Sequence, residues 1–195
     1  RALHSRPGAW LAAIAYTVAP VHLVNLYVRG DSLSEFAAFA FYPLILWGLD
    51  RLTVEPSVRR ALFPAVAYAS LIVTHNASAL IFTPFILLYV AIHIVRAAVG
   101  GPHRHGVSAL FRHSAVVLPL IVALLLSAWF WLPALGETQY AQLGAQTTGY
   151  FFYGNHFRGT DLVQGAVLFD YATDPGTASP FTMGLVQTIL ALGGV

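Results

Sequence analysis

The sequence feature that most constrains the fold is an almost continuous apolar run from Ala61 to Val95, broken at Thr74-His75-Asn76. As one helix this run would be ~50 Å long, which exceeds the ~30 Å hydrocarbon core of a bilayer. Two membrane spans that turn at the break fit the length better. The run therefore predicts a membrane-embedded helical hairpin.

Composition supports a membrane location for the rest of the chain. Hydrophobic residues make up 57% of the sequence and charged residues 9%, whereas about a quarter of a soluble domain is charged. So few polar side chains could not cover the surface of a soluble globule. Cysteine is absent, which excludes a disulfide framework, a thiolate metal site and a cysteine nucleophile.

Five stretches are apolar enough to cross a bilayer, and a sixth begins near the end of the sequence. We therefore predict an all-α fold, a polytopic transmembrane helix bundle, with residues 1–195 as a single transmembrane region. The sequence opens without Met and without a signal-peptide pattern, so we expect a section of a longer multi-pass protein. The predicted spans are 8–26, 33–52, 57–75, 77–96, 114–135 and 183–195, with a long polar and aromatic loop at 136–182.

The arginines predict the orientation of these spans. Five crossings place Arg29 and Arg158 on one side of the membrane and the other eight arginines on the opposite side. Because cytoplasmic loops are enriched in basic residues, the larger group is assigned to the cytoplasm. Residues 27–35, 75–76 and 136–182 then lie on the extracytoplasmic face of the plasma membrane. The cytoplasmic group is Arg1, Arg6, Arg51, Arg59, Arg60, Arg96, Arg104 and Arg112.

The stretch from Tyr27 to Phe36 reads YVRGDSLSEF and concentrates charge between two apolar runs. Its RGD tripeptide lies too close to two predicted spans to act as a flexible adhesion loop. Ser32 and Glu35 fit the S-x-x-E capping box, which starts a helix. Capping does not explain Arg29. It could pair with Glu35 or Asp31, or its guanidinium fork could bind a lipid phosphate or diphosphate.

Three further places carry polar groups that allow two interpretations each. His75 and Asn76 either form a structural turn or supply a histidine that binds phosphate or relays a proton. Glu137 is either a solvated rim residue or a third carboxylate of a site. Asn155 and His156, in the aromatic segment GYFFYGNHF, either belong to an interfacial amphipathic segment or hydrogen-bond a substrate.

Several classes of function are excluded by the same reading. The arginines do not cluster with aromatic residues on one face, so no nucleic-acid partner is predicted. The histidines near residue 105 match no zinc template, and no metal site is predicted. The sequence contains neither a Walker A nor a G-x-G-x-x-G pattern. The sequence does not indicate an oligomeric state.

The order of the motifs VNLYVRGDSLSEF, LIVTHNASAL, SAWFWLPALGE and GYFFYGNHF resembles a family of large bacterial multi-pass membrane proteins. The family carries the label "6-pyruvoyl-tetrahydropterin synthase-related", although the histidine pattern of that soluble zinc enzyme is absent here. In layout the family is similar to the C-type glycosyltransferases, which use polyprenyl-phosphate sugar donors. The resemblance runs from about Ala9 to Leu190. Its pattern maps onto Tyr27, Arg29, Gly30, Glu35, His75, Asn76, Pro133 and Glu137.

The resemblance implies a glycosyltransferase-like membrane protein, with membrane lipid and a lipid-linked sugar donor as its partners. Glu35, or Asp31, is the expected general base or metal ligand, and Arg29 and His75 would neutralise the leaving phosphate. A divalent cation, Mg²⁺ or Mn²⁺, is an optional cofactor, because such ions prefer carboxylate oxygens. The remaining expected substrate-binding residues are Tyr27, Asn76, Glu137, Asn155 and His156.

Two other classes of function stay open. A non-catalytic membrane scaffold or lipid-binding protein would use Arg29, Glu35 and His75 to lock helices together. A transporter comes third, because no predicted span carries an acid at mid-depth, where ionisable groups usually mark a transport path.

Overall fold

The computed structural model describes residues 5–30, 32–99, 115–141, 144, 148–149, 152, 163 and 183–193. In these residues all regular structure is helical apart from one isolated parallel bridge between Val163 and Met183, which confirms the all-α prediction for them. The α-helices are α1 Arg6–Thr17, α2 Pro20–Leu23, α3 Leu33–Val54, α4 Val58–Thr74, α5 Asn76–Val99, α6 Leu118–Leu126, α7 Ala128–Gly136 and α8 Leu185–Gly193. A π-helical segment covers Val24–Arg29, and 3-10 turns cover Ala115–Val117 and Thr138–Tyr140.

Two of these helices are long and apolar enough to cross a membrane, namely Leu33–Val54 and Asn76–Val95. Helices α6 and α7, together with the preceding 3-10 turn, make a third candidate span when they are taken as one unit, although they are bent by 61°. The described residues thus fit a membrane protein with two or three candidate crossings.

The first predicted span, 8–26, is interrupted rather than continuous. Helix α1 ends at Thr17, and Ala19 has an extended backbone with ψ 135° directly before Pro20. Proline disfavours helical backbone at the residue before it and has no N–H to donate, which accounts for the break at this point. Pro20 then occupies the start of α2, where its missing N–H costs little.

The fifth predicted span, 114–135, is bent at Ser127, between α6 and α7. The Ser127 hydroxyl donates to the carbonyls of Ala123 at 2.8 Å and Leu124 at 3.3 Å. A serine that bonds back to its own helix in this way favours a bend. The indole Nε1 of Trp131 donates to the Leu124 carbonyl at 3.0 Å. The bend therefore keeps these carbonyls hydrogen-bonded, as apolar surroundings require.

The chain divides into two compact units, Arg1–Phe36 with Gln142–Val195, and Ala37–Ala141. Within the first unit α1 packs against α8, and the side-chain amide of Gln187 donates to the carbonyl of Ala15 at 3.0 Å. Gly184 allows a close approach there, because an added Cβ would lie 2.9 Å from the Pro20 ring.

In the second unit the central element is α4, which packs against α5 and α6. Its buried residues Ala61, Ala65 and Ala69 recur at every fourth position, and such small residues let helix backbones approach closely. Gly48 of α3 meets α4 in a similar way. A Cβ at this glycine would lie 2.9 Å from atoms of both Phe63 and Pro64.

Helices α3 and α5 run in the same direction. Tyr42 of α3 stacks on Phe82 of α5 with ring centroids 4.2 Å apart. Further along both helices, the Tyr89 hydroxyl donates to the Asp50 carboxylate at 3.4 Å. The contacts thus move from residue 42 to residue 50 along α3 as they move from residue 82 to residue 89 along α5, so the two helices are parallel. Helix α4 joins α5 through one residue, His75, and so returns in the opposite direction.

Candidate functional site

Tyr27 and Arg29 lie in the π-helical segment Val24–Arg29, which ends at Gly30. Gly30 has φ 59°, a left-handed backbone that residues with a Cβ rarely adopt. The Tyr27 side chain is 75% exposed. Because π-helical turns are rare and occur frequently at functional sites, this segment is a structurally distinct place for two of the predicted site residues.

Glu35 lies in the first turn of α3, where it is half-buried. The helix begins at Leu33, and the backbone N–H of Phe36 donates to the Ser32 carbonyl at 2.9 Å. Ser32 therefore accepts the first hydrogen bond of the helix, as an N-cap residue does, and Glu35 occupies the third helical position. This is the register that the capping box requires. The helix dipole also favours a carboxylate at this end. Asp31 lies outside the described residues.

His75 joins α4 to α5 and caps both helices. Its backbone N–H donates to the Leu71 carbonyl at 3.0 Å, and its carbonyl accepts from the N–H of Ala79 at 3.1 Å. Its ring Nδ1 accepts the backbone N–H of Ser78 at 3.2 Å and lies 2.7 Å from the Ser78 hydroxyl oxygen. The imidazole thus takes the place of the serine or asparagine side chain that usually caps a helix.

The backbone N–H of Ser78 assigns the tautomer of neutral His75, whereas the contact with the Ser78 hydroxyl fits either tautomer. A nitrogen that accepts a backbone N–H presents a lone pair, so Nδ1 is unprotonated. The proton is then on Nε2, which leaves one N–H donor on the opposite side of the half-buried ring. The structural and chemical interpretations of His75 are therefore compatible, since they use different nitrogens. Ser78, which fixes this arrangement, was not among the predicted site residues.

Asn76 and Glu137 are both exposed. The side-chain oxygen of Asn76 accepts the N–H of Ala77 at 2.8 Å, which is a local turn contact. Glu137 follows α7, and its N–H donates to the carbonyl of Pro133 at 2.9 Å. The described hydrogen bonds and ion pairs do not join Glu137 to His75. The predicted residues Asn155 and His156 lie outside the described residues.

An open cleft of about 400 Å³ runs beside α4 and reaches Thr74, the residue before His75. Its volume lies in the range of small-molecule sites, about 300–1,000 Å³. Most of its wall is apolar and comes from α3, α4, α6 and α7. The lining residues are Phe41, Val66, Ala69, Ser70, Val73, Thr74, Leu126 and Trp129.

Among the residues that the structure describes, no three His, Asp or Glu side chains are grouped so that they could hold a metal ion. Within those residues the optional divalent cation therefore has no ligand set to which a step can be assigned. No family model, curated protein or solved structure matches the chain. The family resemblance accordingly stays a prediction from the motifs.

Proposed function

We propose that the protein is an integral membrane glycosyltransferase-like enzyme that moves a sugar from a polyprenyl-phosphate-type lipid donor on the extracytoplasmic face of the plasma membrane. The observation that carries the proposal is the arrangement at His75. Its Nδ1 is held by the first turn of α5, its Nε2 keeps a donor proton, and an apolar cleft reaches the adjacent Thr74.

The proposed chemistry assigns each group a role at the phosphate or at the acceptor. When the bond between the anomeric carbon and the phosphate oxygen breaks, negative charge develops on the leaving phosphate. The Nε2–H of His75 donates a hydrogen bond to that phosphate. The family resemblance assigns the positive charge at the phosphate to Arg29 and the removal of the proton from the attacking acceptor hydroxyl to Glu35.

The cleft beside α4 supports a lipid carrier as the donor. An isoprenoid chain needs an apolar wall, and the cleft residues Val66, Val73 and Leu126 supply one. Trp129, also in the wall, is 68% exposed, as is common for tryptophans at a membrane interface. A soluble nucleotide sugar would gain little from such a surface.

Helix direction supports the proposed orientation. If the parallel helices α3 and α5 both cross the membrane, their N-terminal ends lie at the same face and α4 must return between them. Arg51, Arg59 and Arg60 then lie at the opposite face, where the positive-inside rule places arginines. This supports an extracytoplasmic location for the start of α3 and for His75.

The test compares His75→Asn with His75→Ala in the full-length protein. Both folded yield in membranes and sugar transfer from a polyprenyl-phosphate sugar are measured. Asparagine is among the best N-cap residues, so His75→Asn should fold with normal yield. Its Nδ2 donor lies beside the capping oxygen and does not reach the position of Nε2, so transfer should fall roughly 10²–10³-fold, the usual effect of losing one donor at a developing charge. Glu35→Gln should show the same pattern.

Two results would contradict the enzyme proposal. Normal sugar transfer by His75→Asn would show that the imidazole caps the helix and takes no part in the reaction. A wild-type protein that consumes no lipid-linked sugar, together with a collapse in yield for Glu35→Gln, would favour the non-catalytic scaffold or lipid-binding alternative.

A further inference from the structure

A second cleft, of about 540 Å³, lies where α3 ends and α4 begins. We call it the arginine cleft, because Arg51, Arg59 and Arg60 line it together with Trp47 and Phe63. All five side chains are exposed. None of these residues belongs to the site proposed above. In the sequence, the arginines served only to predict the orientation of the spans in the membrane.

The aromatic floor of the arginine cleft is held in place by packing. Trp47 and Phe63 meet edge to face with centroids 5.2 Å apart and planes at 84°, a favourable geometry for two rings. Gly48 beneath them leaves no room for a side chain, because a Cβ would lie 2.9 Å from Phe63 and Pro64. The floor therefore joins α3 and α4 closely and keeps the arginines of both helices near each other.

The charge of the cleft is strongly positive. The guanidinium of Arg51 lies 5.6 Å from the centre of the Trp47 ring. Arg60 pairs with Glu55, and both side chains of the pair are largely exposed, at 43% and 63%. Within the described residues Arg59 has no carboxylate partner. Three arginines and one glutamate leave a net charge of +2, and the residues lining the cleft include no acid.

This combination of groups matches one class of ligand. Guanidinium groups bind phosphate oxygens through paired hydrogen bonds, whereas the neighbouring rings of Trp47 and Phe63, 54% and 42% exposed, offer apolar contact. Free phosphate would use the arginines alone. A phospholipid would use both, and the cleft lies at the end of α3, which is long and apolar enough to cross a membrane. We propose that the arginine cleft binds the phosphate headgroup of an anionic phospholipid.

The test uses the full-length protein in detergent and measures lipid binding by native mass spectrometry with phosphatidylglycerol and with phosphatidylcholine. Phosphatidylglycerol should bind preferentially, and Arg59→Gln and Arg51→Gln should each weaken its binding roughly five-fold, as expected for one basic contact at a membrane surface. The matched control is Arg6→Gln, an exposed arginine of α1 outside the cleft, which should leave binding unchanged.

A variant with a predicted gain in lipid affinity is also needed, because misfolding can weaken binding but cannot strengthen it. Glu55→Gln removes the carboxylate that competes for Arg60, so it should strengthen phosphatidylglycerol binding by a similar factor. Equal binding of the two lipids, an equal loss in Arg6→Gln, or full displacement of the lipid by millimolar inorganic phosphate would each overturn the proposal. The last result would identify a site for free phosphate instead. Because sugar transfer is not the readout, the outcome is independent of the glycosyltransferase proposal.

Discussion

The backbone N–H of Ser78 donates to Nδ1 of His75 at 3.2 Å, so an imidazole caps helix α5. Asparagine would also cap the helix, but its remaining donor, the Nδ2 amide, lies beside the capping oxygen and not across a ring from it. Histidine caps the helix and keeps a donor across the ring, because its two ring nitrogens are distinct. The contact thus holds the ring in one orientation, which is the condition for using Nε2 at a defined point.

The capping contact predicts an order of stability for variants at His75. His75→Ala should lower the free energy of unfolding by about 0.5–2 kcal/mol, because the N–H of Ser78 loses its side-chain acceptor. His75→Asn should stay within a few tenths of a kcal/mol of wild type. The thermal midpoint of the purified full-length protein in detergent measures both. Equal midpoints for all three proteins would show that the cap contributes nothing.

The close contact of Gly48 with α4 predicts sensitivity to a single methyl group. Gly48→Ala should lower the free energy of unfolding by about 1–3 kcal/mol, because the added Cβ would lie 2.9 Å from the Pro64 ring. Gly136→Ala is the matched control, since a Cβ there meets nothing within 4 Å. It should leave stability unchanged or raise it slightly. Thermal midpoints that fall equally in the two variants would show that the effect is not due to the contact with α4.

Features that depend on run length and local pattern could be predicted from the sequence. The apolar run from Ala61 to Val95 is too long for one span, and in the structure α4 and α5 meet at the polar break. The S-x-x-E pattern likewise predicted the register of Ser32 and Glu35, because capping involves residues three positions apart.

Features that depend on backbone detail or on packing between helices could not be predicted. Pro20 lies inside the predicted span 8–26, and the helix breaks at Ala19 before it, whereas Pro43 and Pro64 lie inside continuous helices. The bend at Ser127 follows from where one hydroxyl donates. The arginine cleft requires α3 and α4 to pack through Gly48, which no local pattern specifies. Hydropathy averages over residues, whereas each of these features depends on a few atoms.

The left-handed backbone at Gly30 predicts a difference between two substitutions. Gly30→Ala should destabilise the protein by about 1–2 kcal/mol, the cost of placing a Cβ residue at φ 59°. Gly30→Asn should cost less, because asparagine adopts this conformation more readily. Since a Cβ at Gly30 meets nothing within 4 Å, steric clash cannot explain a difference. An alanine variant as stable as the asparagine variant would contradict the left-handed conformation.

The partly buried hydrogen bond between the hydroxyls of Tyr68 and Thr83 has a donor and an acceptor that can be identified and tested. The hydroxyl of Thr83 donates its single proton to the Ala79 carbonyl at 2.6 Å, so across the 2.6 Å contact Tyr68 must be the donor and Thr83 the acceptor. Tyr68 is 5% exposed. If Thr83 is removed, a buried hydroxyl proton loses its acceptor, whereas removal of the Tyr68 hydroxyl leaves the Thr83 proton satisfied.

Thr83→Val should therefore destabilise the protein more than Tyr68→Phe. The expected costs are about 1–3 kcal/mol for the valine variant, which leaves a buried donor unsatisfied, and about 1 kcal/mol or less for the phenylalanine variant. In the double variant Tyr68→Phe should recover part of the loss, because no donor is then left without an acceptor. Thermal midpoints of the four proteins give the coupling energy, which averages about 0.6 kcal/mol between membrane helices and reaches about 1.7 kcal/mol. A larger loss in Tyr68→Phe than in Thr83→Val would reverse the assigned direction of the bond.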